Sequence, residues 1–105
     1  MGKQSDGEAS SAGRQVIKLS RKVKFEDIER DELVLDLEGL TGADLMAAEA
    51  EFIAKGGTPG VQELSKRFQS HIAARAAKVP VEFIEKLPIN DASKVTLAVQ
   101  LFLMA

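Results

Sequence analysis

The stretch Lys94-Val-Thr-Leu-Ala-Val-Gln-Leu-Phe-Leu-Met-Ala105 reads as a helix with two apolar faces. At about 100° per residue, Ala92, Val95, Ala98, Val99, Phe102 and Leu103 form one broad stripe. Leu97, Leu101 and Met104 form a second stripe nearly opposite, with Thr96 and Gln100 between the two. A helix that is apolar almost all round is either buried on both sides or kept for a partner. A chain of 105 residues has few elements with which to cover it twice. One face therefore belongs to the domain, and Leu97, Leu101 and Met104 are the candidate partner-binding residues. Two competing covers are an N-terminal hairpin of the same chain and a second copy.

Composition narrows what such a surface serves. The chain is 45% hydrophobic, but its five aromatics are all Phe, so the core is aliphatic. The absence of Cys excludes disulfides, thiolate metal sites and cysteine nucleophiles, and favours an intracellular setting. A single His cannot build an imidazole metal site. The formal net charge of -2, with both signs mixed along the chain, offers no basic stripe for nucleic acid. The longest apolar run, Leu101 to Ala105, is too short to span a bilayer, and the N-terminus lacks the apolar core of a signal peptide. The expectation is one cytoplasmic domain with no cofactor and no membrane contact.

Residues 1–14 contain no large apolar side chain beyond Met1 and are expected to be a disordered tail. In Gln15–Ser20 and Glu32–Leu37 the apolar residues alternate with polar or outward ones, Ile17 and Leu19 in the first and Leu33, Leu35 and Leu37 in the second. This period of two predicts a hairpin over about 15–38, with Val23 and Phe25 extending it. Thr41-Gly-Ala-Asp44 has the form of a helix start, and Gly56-Gly57 that of a stop, which predicts a helix over 42–55. Thr58-Pro59 opens a second helix over 59–78, Pro80 a short one over 80–87, and Asn90 or Asp91 caps a last one over 91–104. The fold class is α+β: a β-hairpin followed by a compact bundle of three to four helices, over residues 15–105.

Two charged residues intrude on apolar helix faces. In the first long helix Leu45, Met46, Ala50, Phe52 and Ile53 form the apolar sector, with Glu49 near its middle. In the second, Val61, Leu64, Phe68, Ile72 and Ala76 form the stripe, with Arg75 inside it. A Glu49–Arg75 pair across antiparallel helices is one reading, since a guanidinium holds a carboxylate through two hydrogen bonds. The other is that both side chains reach water at the stripe's edge. His71, at the margin of the same stripe, reads as a partly exposed helical histidine. No triad, metal set or nucleotide loop can be assembled, so the chain is not expected to be an enzyme.

Leu35-Asp-Leu-Glu-Gly-Leu-Thr-Gly-Ala-Asp-Leu45, Glu-Leu-Ser-Lys at 63–66, Ala73-Ala-Arg-Ala76, Val79-Pro-Val81 and Val95-Thr-Leu-Ala-Val-Gln-Leu-Phe102 stand in an order that resembles the tail assembly chaperones of Mu-like, long-tailed bacteriophages. The resemblance spans residues 16–103 and lies in order and spacing, since each piece alone reads as capping or core. It implies a non-enzymatic protein of the infected or lysogenic host's cytoplasm. Such a protein binds the tape measure protein, keeps it soluble while the tail tube assembles, and is absent from the mature tail. In related families a frameshift yields a longer product that recruits tail tube protein; this chain would be the short one. The alternative function is a small DNA-binding regulator, with the hairpin as a wing and the second helix reading the groove.

Overall fold

The computed structural model describes residues 14–58, 60 and 65–105. The expected tail over 1–13 and the start of the second helix at Pro59, with Val61 and Leu64 of its stripe, lie outside these residues. The fold is α+β, as the sequence pattern requires. Strands β1 (Arg14–Phe25) and β2 (Ile28–Asp36) form an antiparallel hairpin, followed by helices α1 (Gly42–Ala54), α2 (Lys66–Ala77), α3 (Val81–Glu85) and α4 (Ile89–Leu103). Arg14 belongs to the hairpin, opposite Asp36, rather than to a tail.

The hairpin is not a uniform ladder. Ile17 pairs with Leu33 and Phe25 with Ile28, yet between Lys18 and Val23 the register slips, so that Leu19 to Lys22 stand opposite Asp31 alone. Ile28 and Leu33 are an odd number of residues apart, a spacing that would put them on opposite faces of an unbroken strand. The bulge rotates one half against the other and lets both apolar pairs meet the core. The two-residue tip, Glu26-Asp27, places Glu26 at φ 53°, a left-handed conformation better suited to glycine.

α2 is the central element and packs on α1, α3, α4 and β2. Phe68 and Ile72 give it bulk, while Ala73, Ala74 and Ala76 let neighbouring backbones approach, and all five are buried. Around it lie Leu33, Leu35 and Leu37 from the hairpin side, Phe83 and Ile84 from α3, and Val95, Ala98 and Val99 from α4. The ring of Phe52 from α1 meets Phe68 edge-on, centroids 5.9 Å apart.

Helix ends follow local chemistry, with two differences from expectation. The Asp44 carboxylate accepts from the Thr41 backbone N–H at 3.0 Å, closing the start of α1 as its motif suggests. The helix expected over 59–78 begins only at Lys66, because Ser65 is extended and caps it, its hydroxyl accepting from the Phe68 N–H, and it ends on Lys78 in a left-handed conformation. α4 begins directly after Pro88, so Asn90 and Asp91 lie inside it rather than capping it. Asp91 has a different task. Fully buried, it accepts from the Ser20 backbone N–H at 2.9 and 3.1 Å and from the Ser20 hydroxyl at 2.8 Å, pinning the bulge of β1 to the first turn of α4.

Candidate partner-binding surface

The two faces of α4 have different surroundings. Val95, Ala98 and Val99 are buried against the core, with Ala92, Phe102 and Leu103 packed at its edge. Leu97, Leu101 and Met104 stay exposed, at 49%, 61% and 60% of their full accessible area. Among the described residues, neither the hairpin nor another helix covers them. Their flanking polar residues look inward: the Gln69 amide donates to the Gln100 side-chain oxygen at 2.9 Å, and Lys66 Nζ donates to the Thr96 hydroxyl at 3.3 Å. Both bonds join α2 to α4 and fix which way α4 is turned.

α1 carries a second bare apolar face that the sequence pattern did not reveal. Leu45, Met46, Ala50, Phe52 and Ile53 were expected to enter the core together. Of these only Phe52 is buried, alongside Ala48, while Met46 is 69%, Ile53 42% and Leu45 37% exposed. The helix packs chiefly on α2, so only one narrow stripe of it can be covered. Met46, Ala50 and Ile53 repeat the i, i+4, i+7 spacing of Leu97, Leu101 and Met104, so each row runs straight along its helix. The clue was present in the composition, because Ala43, Met46, Ala47, Ala50, Ile53 and Ala54 fill the arc opposite Ala48 and Phe52.

Between the start of α1 and the end of α4 lies an open pocket of ≈ 170 Å³, lined chiefly by Leu37, Leu40, Leu45, Ile72, Phe102 and Leu103.

The charged pair across α1 and α2 exists in kind but with other partners. Arg75 Nε and Nη2 donate to Asp44 Oδ1 at 3.2 and 3.1 Å, and Nη1 donates to Glu51 Oε2 at 3.3 Å. Glu49 is exposed elsewhere on α1 and is not the carboxylate held here. At about 100° per residue Asp44 and Glu51 fall within about 20° of each other beside the buried stripe, whereas Glu49 stands well over a right angle away. The Thr41 N–H first, and Arg75 second, hold the Asp44 carboxyl below the usual carboxylate range. His71 is also placed differently from expectation: it is 5% exposed, with Nδ1 3.2 Å from Glu51 Oε1. Nearby, Lys55 Nζ donates to Glu82 Oε2 at 3.1 Å, and Glu82 lies below its ordinary range, first through its own backbone N–H and then through Lys55. Glu51, Lys55, His71, Arg75 and Glu82 line a cleft of ≈ 300 Å³ beside α3 and are committed to one another and to Asp44.

Among the described residues no helix is long and apolar enough to cross a membrane. Comparison with known proteins finds no matching family model, no matching characterised sequence and no matching solved structure.

Proposed function

We propose that the chain is a stoichiometric, non-enzymatic chaperone of phage tail assembly, acting in the host cytoplasm. It binds the tape measure protein through α4, keeps that long helical chain soluble during tube assembly, and leaves before the tail is mature. The observation that carries this reading is the bare row of Leu97, Leu101 and Met104 on a helix whose opposite side is core. A row of flexible aliphatic and thioether side chains accepts apolar helices of varied sequence by repacking. Tail tube protein enters only through a longer frameshift product, and self-association is the competing use of the same face. The DNA-regulator alternative needs α2 as a reading helix. α2 lies instead at the centre of the fold, and its cations are engaged: Arg67 Nη2 donates to the Lys55 carbonyl at 2.9 Å, Lys66 to Thr96, and Arg75 to two carboxylates.

The test is co-expression with the large helical protein encoded nearby, followed by affinity capture and size-exclusion with light scattering. A soluble complex, lost in a folded Leu97→Asp, Leu101→Asp variant, is the expected result. No complex, together with duplex DNA binding that weakens steeply with salt, would overturn it.

A further inference from the structure

We propose that the outer face of the hairpin is a dimerisation surface, on which a second copy of this chain stacks its own hairpin face to face. The proposal is independent of what α4 binds and begins from the strand register. Ile17, Leu19, Leu33 and Leu35 turn inward to the core, so the residues between them turn outward. On that outer face the cross-strand pairs are Arg14 with Asp36, Val16 with Val34 and Lys18 with Glu32. Beyond the bulge, where Val23, Phe25 and Ile28 meet the core, Lys24 with Glu29 continues the series. Every charged residue that β1 gives to these pairs is a cation, and every one from β2 is an acid.

Each pair alone is an ordinary stabiliser of a hairpin. Together they set a cationic column beside an acidic one, and that pattern selects the occupant. Nucleic acid or an anionic membrane laid on the face would meet the acids of β2, and a uniformly basic chain would meet the cations of β1. A second copy avoids both. A two-fold axis between the two faces, parallel to the strands, sets β1 of each copy over β2 of the other. Cross-strand partners stand at the same height along that axis. Lys18 therefore comes over Glu32 of the second copy, and Lys24 over its Glu29, so that each pair becomes a closed set of four alternating charges.

The valines fall between two of these sets. Among the described residues Val16, 56% exposed, is the one large apolar side chain that the hairpin leaves so open. In the dimer it meets Val34 of the second copy, and four valines leave water together. Two strands about 4.8 Å apart and about ten residues long make a face of roughly 300–400 Å² on each copy. Stable complexes bury about 800 Å² per partner, so this dimer is weak, with a Kd of about 100 μM, and sensitive to salt.

Lys78 borders Asp36 from the end of α2, so the test is placed on Lys18 and Glu32. Sedimentation velocity on the full chain, over a concentration series that spans the expected Kd, reads the dimer in low and in high salt. A dimer is expected in low salt and should weaken more than about tenfold in high salt. It should survive Leu97→Asp with Leu101→Asp, which separates it from self-association through α4. Lys18→Glu makes its charge set wholly acidic and Glu32→Lys makes it wholly basic, so neither variant should self-associate. Mixed, the two supply each other with opposite charges, and a heterodimer should form. Circular dichroism first establishes that both are folded. Should either unfold, Val16→Lys, which keeps the Lys18–Glu32 pair, is expected to abolish the dimer in its place. A chain that stays monomeric in low salt overturns the proposal, and so does a dimer that ignores salt or is lost with the α4 substitutions. Folded charge variants whose mixture remains monomeric overturn it as well.

Discussion

α1 and α2 are of nearly equal length and lie side by side, yet they use their side chains in opposite ways. α1 is apolar at all but a few positions and buries only Ala48 and Phe52. α2, Lys-Arg-Phe-Gln-Ser-His-Ile-Ala-Ala-Arg-Ala-Ala, is far more polar and buries Phe68, Gln69, His71, Ile72, Ala73, Ala74 and Ala76. Burial is decided by where a helix sits among its neighbours, not by how apolar it is. The central helix can hold Gln69 and His71 because each finds a polar partner across an interface. The peripheral helix retains apolar surface that the fold does not use, and that surplus is what a partner can exploit.

The contrast is broken most directly by large-to-small substitution in both helices. Phe68→Ala removes a buried ring from α2 and is expected to cost about 3–5 kcal/mol. Met46→Ala, on the exposed row of α1, is expected to stay within about 0.5 kcal/mol of the parent. Urea unfolding followed by circular dichroism measures both; comparable losses would mean that α1 is covered in solution.

Next in size is Gly57→Ala, just beyond the end of α1. An added Cβ would stand 2.5 Å from the Phe52 ring, which is wedged against Phe68. A loss of about 1–3 kcal/mol is expected, because the α1–α2 seam has no slack there. A neutral result would show that Phe52 can leave its seat.

A smaller effect follows acid. The carboxyl of Asp44 titrates below its unfolded value, so its contribution is complete above the ordinary aspartate range near about 3.9 and fades as pH falls through the lower, folded value. Glu82 behaves in the same sense. The melting temperature should therefore fall more steeply with acidification for the parent than for Asp44→Asn. Identical acid slopes would show that the seam does not depend on this carboxylate. The smallest expected change is a gain. Lys78 closes α2 at φ 60°, and Lys78→Gly should stabilise the chain by up to about 1 kcal/mol in the same urea experiment.

What the sequence disclosed and what it withheld divide along physical lines. The hairpin, the order of the helices and the Thr41–Asp44 start were legible because period, glycine, proline and capping are local signals. The bare face of α4 was legible because two polar residues separate its stripes. α1 has no such divider, so periodicity could not say which arc faces the core, and Met46 and Ile53 were placed inside. Arg75 was seen to need an acid, but choosing Asp44 and Glu51 over Glu49 requires knowing which flank of α1 meets α2. His71 and Asp91 were misjudged for a related reason, since their partners lie on other elements. Asp91 answers Ser20 across 71 positions of chain, a distance no local pattern spans.

That last contact bears on how the molecule assembles. Closing so long a loop costs entropy before any hydrogen bond repays it, so the bulge and the first turn of α4 are expected to join after the hairpin and the α1–α2 pair have formed. In a stopped-flow chevron, Asp91→Ala should then quicken unfolding and leave the folding limb nearly unchanged, whereas a slowed folding limb would place the clasp in the nucleus. A clasp made last is also the first to open. The carboxylate that seats α4 therefore sets how long the helix keeps its inner stripe out of water, and with it the lifetime of the native chain.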